Sequence, residues 1–272
     1  MKKLSARRRH PLAALVVLLF ALAATGGLYA AFAPADEAKA DTSAASSQSL
    51  AIEEGKKLYA TGCSSCHGTG GQGTSDGPSL VGVGAAAVDF QVGTGRMPAQ
   101  SPGAQAPKKP QVYTQAQIDQ LAAYVASLGP GPSIPTEEQY DPAGANSAAG
   151  GELFRTNCAQ CHNFTGEGGA LTNGKYAPSL DGVSDKHIYE AMLTGPQNMP
   201  AFPDTILPEK EKKEIIAYIQ DVQGEDEKSP GGFKLGGFGP VAEGMFAWTI
   251  VLALLIGVAV WVAARTAKAR KS

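Results

Sequence analysis

Cys63-Ser64-Ser65-Cys66-His67 and Cys158-Ala159-Gln160-Cys161-His162 decide how this 272-residue chain is read. Each is a Cys-x-x-Cys-His run, the attachment signature of a c-type haem. Two thiols three residues apart stand on one helical turn, so both reach the vinyl groups along one porphyrin edge. The His that follows then turns its imidazole toward the iron as proximal ligand. The two runs use all four cysteines of the chain. Cys63, Cys66, Cys158 and Cys161 are therefore read as covalent anchors of two haem c groups, and His67 and His162 as iron ligands. A zinc site or a thioredoxin-like redox pair also uses Cys-x-x-Cys. Neither calls for a His directly after the second Cys, and 95 positions separate Cys63 from Cys158, which is far for one small zinc module.

Laying one motif over the other exposes a tandem repeat. Gly55, Tyr59, Cys63, Cys66 and His67 align with Gly150, Phe154, Cys158, Cys161 and His162 at a constant offset of 95. Pro78-Ser79-Leu80 aligns with Pro178-Ser179-Leu180, and Met97-Pro98 with Met199-Pro200. Leu121, Tyr124, Val125 and Leu128 find counterparts in Ile215, Tyr218, Ile219 and Val222. Each repeat thus runs helix, haem motif, Gly-rich loop, Met-Pro, helix. Thr114 to Gln117 has capping-box spacing ahead of the apolar stripe Ile118, Leu121, Ala122, Val125 and Leu128, and Gly129-Pro130 stops that helix. In the second repeat Pro208 suits a first helical position, followed by Glu209 and Glu211, with Gly224 as the stop. Gly55 and Gly150 are read as sites where the opening helix crosses close to the closing one.

A haem iron held by His needs a sixth ligand or keeps an open site for chemistry, and a thioether closes the site and raises the potential. Met97 and Met199 hold equivalent places, 30 and 37 residues after their haem His and each before a Pro. They are read as the axial partners of His67 and His162. Core filling is the alternative for any Met, and it accounts for Met192 in the helical stretch around Ile188 to Leu193. His187 is the spare histidine outside the basic N-terminal segment and so the one candidate for bis-His ligation; a solvated position at a helix start is its simpler reading. Pro78 and Pro178 are expected to line the proximal side of each haem.

Leu12 to Ala33 runs 22 residues without a charge after Lys2, Lys3, Arg7, Arg8 and Arg9. Met245 to Ala264 is a second uncharged run, with Trp248 and Trp261 near its ends, before Arg265, Lys268, Arg270 and Lys271. A 20-residue helix is about 30 Å long, the thickness of a bilayer's hydrocarbon core. The C-terminal run reads as a transmembrane helix with interfacial Trp anchors. The N-terminal run reads either as a retained anchor or as an export signal cleaved after Ala31-Phe32-Ala33. Both terminal basic clusters stay cytoplasmic under either reading. All 25 acidic residues lie between Asp36 and Glu243, against 14 basic ones there, so an acidic centre faces outward from the membrane. That acidity serves solubility or docks a basic partner.

The expected architecture is mainly α: two tandem class I cytochrome c domains, a C-terminal transmembrane helix and an N-terminal signal or anchor helix. The segments are 1–33 (signal or anchor), 34–49 (flexible), 50–129 (first haem domain), 130–144 (linker with four prolines), 145–224 (second haem domain), 225–244 (tether), 245–264 (membrane helix) and 265–272 (basic tail). Ala99 to Gln111, with three prolines, is a loop insertion in the first repeat. No phosphate loop, dinucleotide fingerprint or nucleophile–base set stands out, and no basic patch outside the termini points to nucleic acid.

With both motifs, the repeat and the C-terminal anchor in view, the whole chain resembles the QcrC family, the dihaem cytochrome c subunits of the actinobacterial menaquinol–cytochrome c reductase (cytochrome bc complex). The resemblance implies an electron relay in a respiratory chain. A Rieske iron–sulfur subunit, fed by quinol oxidation on a cytochrome b subunit, would pass electrons to one haem. The other would deliver them to a terminal cytochrome c oxidase, often within a reductase–oxidase supercomplex in the cell membrane. The second domain, tethered next to its membrane helix, is read as the one that receives, and the first as the one that delivers. A dihaem subunit of a terminal oxidase, or a dihaem peroxidase, are the rival functions.

Overall fold

The computed structural model of the protein describes residues 11–32, 35–223 and 240–269, and divides the chain into Met1–Leu50 and Ala51–Ser272. Helix α1, Pro11–Phe32, belongs to the first part. Its window Leu12–Tyr29 has a mean hydropathy of 2.2 and none of it is buried. The helix is long and apolar enough to cross a membrane. Helix α2, Ala35–Gly62, crosses the boundary between the two parts. It replaces the flexible segment expected at 34–49 with helix from Ala35 onward. The reason is local: Ala35, Ala38, Ala40, Ala44 and Ala45 are the strongest of helix formers.

The rest of the second part contains two modules. The first runs α2, α3 (Ser64–His67), α4 (Gly84–Gly93) and α5 (Gln115–Ser127). The second runs α7 (Ser147–Asn157), α8 (Ala159–His162), a hairpin of β1 (Gly169–Ala170) and β2 (Tyr176–Ala177), α9 (Asp185–Thr194) and α10 (Glu209–Gln223). Helix α4 and the hairpin were not anticipated. In both modules the opening helix crosses the closing one backbone against backbone. A Cβ on Gly55 would stand 1.9 Å from the Gln120 carbonyl oxygen, and one on Gly150 1.8 Å from that of Glu214. Only glycine fits there. Above each crossing sits an aromatic pair, Tyr59 with Tyr124 at 5.0 Å and Phe154 with Tyr218 at 5.2 Å between centroids.

Around these crossings two separate cores form, one with Ile118, Leu121 and Val125 and the other with Ile188, Ile215, Ile216 and Ile219. Thr114 caps α5 with the expected reciprocal box. Pro208 falls one place before α10, where its carbonyl accepts the Lys212 N–H at 3.1 Å, the role of a cap residue.

The stretch 130–144 is ordered and contains α6 (Glu137–Tyr140), begun by a Thr136–Gln139 capping box. The Pro132 carbonyl accepts the Ala86 N–H at 3.1 Å, and the Glu138 carbonyl accepts from Lys213 Nζ at 2.8 Å. Ile134 packs on the first core and Tyr140 on the second. The modules also meet directly, α4 against α9. Asp89, 1% exposed, forms an ion pair with Lys186 at 2.6 Å and accepts from Gln115 Nε2 at 3.0 Å. Fully buried Glu190 lies beside it. Burial, then the Asp89 hydrogen bond and charge, push the Glu190 carboxyl up to about 9. Burial also pushes Asp89 upward, but hydrogen bonds from Lys186, Glu190 and Gln115 outweigh it and hold Asp89 below its ordinary value. Near neutral pH this arrangement favours a neutral Glu190 beside an ionised Asp89.

Most of the tether, 225–239, lies outside the described residues, as do Met1 to His10 and 270–272. Helix α11, Pro240–Ala269, includes the last residues of the tether and the first of the tail. Its window Gly244–Arg265 has a mean hydropathy of 2.5 with none of it buried. The Arg265 guanidinium lies 4.3 Å over the Trp261 ring, a polar and an amphipathic side chain together at one end of the apolar run.

Candidate haem sites

Both Cys-x-x-Cys-His runs fold as one tight turn on the end of an opening helix. The Cys63 carbonyl accepts from Cys66 N–H at 3.2 Å and His67 N–H at 3.0 Å; that of Cys158 accepts from Cys161 at 3.1 Å and His162 at 2.9 Å. Cys63 packs against the first core and Cys158 against the second. The first thiol of each pair therefore sits on its own core, and Cys161 is exposed. Burial, with the neighbouring thiol adding to it, pushes Cys63 and Cys158 each up to about 11. Burial thus disfavours, in Cys63 and Cys158, the thiolate that a reactive redox pair would use.

The loops after the turns hold the two histidines alike. His67 Nδ1 lies 2.8 Å from the Pro78 carbonyl oxygen, and His162 Nδ1 3.1 Å from that of Pro178. A carbonyl only accepts, so Nδ1 carries the proton and Nε2 keeps its lone pair. That is the tautomer a metal-binding imidazole requires, with its orientation set by a backbone partner. Burial lowers the pKa of His162, against the opposing effect of the Pro178 bond. Further bonds repeat around the rings. Gly73 N–H donates to the His67 carbonyl at 2.8 Å and Gly168 N–H to the His162 carbonyl at 2.9 Å. Leu80 N–H reaches Gly71 at 2.7 Å, and Leu180 N–H reaches Gly166 at 2.8 Å.

In the second module a cavity of about 620 Å³ opens between these groups, lined by Cys158, Cys161, His162, Pro178, Leu180 and Met199 among others. Such a volume is that of a pocket for a large organic ligand. A thioether-forming pair, an imidazole with a free Nε2 and a Met on one mostly apolar cavity fit a haem c. Met199 packs on the second core and Met97 on the first, so each sits in the same module as the His it was paired with. Met192 is a core residue, 2% exposed.

His187 departs from the solvated reading. Its ring meets Phe90 of the first module edge-on, 6.0 Å between centroids, and borders the cavity. Burial lowers its pKa first; Asp89 opposes this, while Lys186, Arg96 and Lys108 lower it further. The site residues missed from sequence come from the first module: Phe90, Arg96, Gln105 and Lys108 all line the second module's cavity. No spacing could have placed them there, because they lie 50 or more positions before Cys158 and outside the repeat's shared positions.

A family model described as "Cytochrome c" matches residues 52–129, and one described as "Cytochrome C oxidase, cbb3-type, subunit III" matches 145–219. The "Cytochrome bc1 complex cytochrome c subunit" of Mycobacterium tuberculosis is 48% identical over 267 residues, 96% of this chain and 93% of its own length. The protein of the same description from Corynebacterium efficiens is 47% identical over 284 residues, 97% and 94% of the two chains. A more distant similarity, 27% over 192 residues, covers 64% of this chain and 62% of "Cbb3-type cytochrome c oxidase subunit FixP" from Bradyrhizobium. Cytochrome c domains carry covalent haem c, and the two matched regions contain the two turns described above. With close similarity along nearly its whole length, the chain belongs to the cytochrome c subunits of the cytochrome bc1 complex, haem proteins of electron transport.

Proposed function

We propose that this chain carries two haem c groups and relays electrons from a Rieske iron–sulfur subunit to a terminal cytochrome c oxidase, alongside a cytochrome b subunit. Cys63 and Cys66 anchor the first haem, with His67 and Met97 as axial ligands. Cys158 and Cys161 anchor the second, with His162 and Met199. When bound, each haem supplies a one-electron couple. The protein's own contribution is to fix each imidazole through a Pro carbonyl, hold a Met sulfur in each module, and exclude water with two apolar cores. The observation that carries the reading is this duplication: both His residues are held in the metal-binding tautomer by matching Pro carbonyls, at 2.8 and 3.1 Å.

The haem domains, 50–129 and 145–224, face the extracytoplasmic side. The helix at 245–264, and the N-terminal helix if retained, anchor them in the cell membrane. The basic tail 265–272 stays cytoplasmic, as does the Lys and Arg cluster within residues 2–9 if the N-terminal helix is retained. Segment 130–144 joins the domains and 225–244 tethers the second to the membrane.

The second module receives electrons and the first passes them on. A pyridine haemochrome assay on the purified chain should count two covalent haems per polypeptide; one or none refutes the reading. Met199→Ala should block reduction of both haems by quinol, and normal reduction of the first haem would reverse the proposed order. The oxidase-type family match over 145–219 favours one second reading, a subunit of a terminal oxidase. Co-purification with oxygen-reducing subunits alone, without quinol-oxidising ones, would establish it.

A further inference from the structure

The second module's cavity has a wall that the second module does not supply. Phe90 at the end of α4, Arg96 after it, and Gln105 and Lys108 from the 99–111 insertion all come from the first module. A reciprocal clasp holds that insertion in place. Gln105 Nε2 donates to the Tyr176 carbonyl at 2.8 Å and its Oε1 accepts the Tyr176 N–H at 2.8 Å. Gln197 repeats the pattern toward Ala106, accepting its N–H at 3.0 Å and donating to its carbonyl at 3.1 Å. Gln197 does so with φ at 58°, a left-handed conformation uncommon for a residue with a side chain, two positions before Met199.

Charge on this wall runs against the composition of the region. The central segment is strongly acidic, yet the Lys, Arg, Asp and Glu side chains lining the cavity are Arg96, Lys108, Lys175 and a single acid, Asp181. Lys175 is taken by Asn198 Oδ1 at 2.8 Å. Among the described residues Arg96 and Lys108 form no ion pair. Arg96 is half-buried, its guanidinium 4.8 Å over the Phe90 ring. A desolvated cation without an acid beside it is costly unless the cavity's occupant is anionic. Haem c carries two propionate carboxylates, and guanidinium binds carboxylate through paired hydrogen bonds.

We propose that Arg96 and Lys108 of the first module bind the propionate carboxylates of the second module's haem, so that this haem site is completed by both modules. The inference rests on the two-haem reading above. Arg96 is also the neighbour of Met97, so one short segment carries the first iron's sulfur and a charge on the second haem.

The test is a spectroelectrochemical titration of the purified membrane complex, with the second haem's wave identified as the one displaced by Met199→His. Removing a cation beside a haem disfavours its reduced form. Arg96→Gln should lower the second haem's reduction equilibrium about tenfold, about 59 mV for one electron. Lys108→Gln should lower it in the same direction, and Arg96→Lys should restore most of it. Because Arg96 adjoins Met97, the first haem's Met–iron charge-transfer band is followed in the same samples. A shift confined to the first haem, or no shift in Arg96→Gln and Lys108→Gln with two haems present, overturns the inference. A wild-type haem count below two removes the reading beneath it instead.

Discussion

At its helix crossing the first module buries Tyr59, whose hydroxyl donates to the Gly68 carbonyl at 2.6 Å. The second module has Phe154 at the matching place, and there the hydroxyl comes from the opposite helix, Tyr218 donating to the Phe164 carbonyl at 2.6 Å. In both modules a carbonyl one or two residues after the haem His takes a tyrosine donor, Gly68 in the first and Phe164 in the second. Either helix of the crossing can provide it, because the aromatic pair brings both rings to the same spot. Elsewhere the modules diverge. The link from haem motif to Pro178 is five residues longer than the link to Pro78, and it forms the hairpin of β1 and β2. Position 68 is Gly with φ 79°, while its counterpart Asn163 takes φ 61°. The frame is shared; the cover over each haem site is not.

The largest test of that shared frame is at the crossings. Gly55→Val or Gly150→Val places carbon inside the opposing carbonyl, an overpacking expected to cost about 3 kcal/mol or more. Each should strip the haem of its own module first, read as haem content of the purified variant. Loss of both haems from Gly55→Val would break the picture of two separate cores.

The interface comes next. With Glu190 pushed up to about 9 from an ordinary 4.5, the folded protein keeps a proton there that the unfolded chain releases. Stability contributed this way is complete below the unfolded value and falls as pH rises toward the folded one. Glu190→Gln should flatten that decline in thermal midpoint across the window from 4.5 to about 9. An unchanged pH profile would mean that Glu190 holds no such proton.

The smallest effect sharpens the hydroxyl exchange. Tyr59→Phe, in a buried site, should cost about 1.5 kcal/mol and Tyr218→Phe, half-exposed, about 0.5 kcal/mol, by chemical denaturation followed at the haem. Equal costs would mean that burial does not separate the two bonds.

Much of this was legible in the residues. The haem turns, the repeat, the helix-crossing glycines, the Thr114 cap and the two apolar helices all rest on patterns within a few positions of one another. Helix α4 was harder, because Gly84 to Gly93 has no polar cap and its Gly-Ala start resembles loop. The helix across 35–49 was obscured by Ser, Thr and Asp between alanines. His187 looked solvated because a lone His near a helix start gives no sign of the partner that covers it.

The sequence by itself determined the two Cys-x-x-Cys-His turns, the Met carried by each repeat, and two helices long and apolar enough to cross a membrane. Covalent spacing and helical periodicity are local, and a single chain displays them. Tertiary structure alone decided that the Pro78 and Pro178 carbonyls set the imidazole tautomers, that the Asp89 and Glu190 carboxyls are buried together, and that Arg96 and Lys108 face the other module's cavity. Those facts depend on which surfaces meet when two cores pack together, and no spacing along the chain encodes a meeting between residues so far apart.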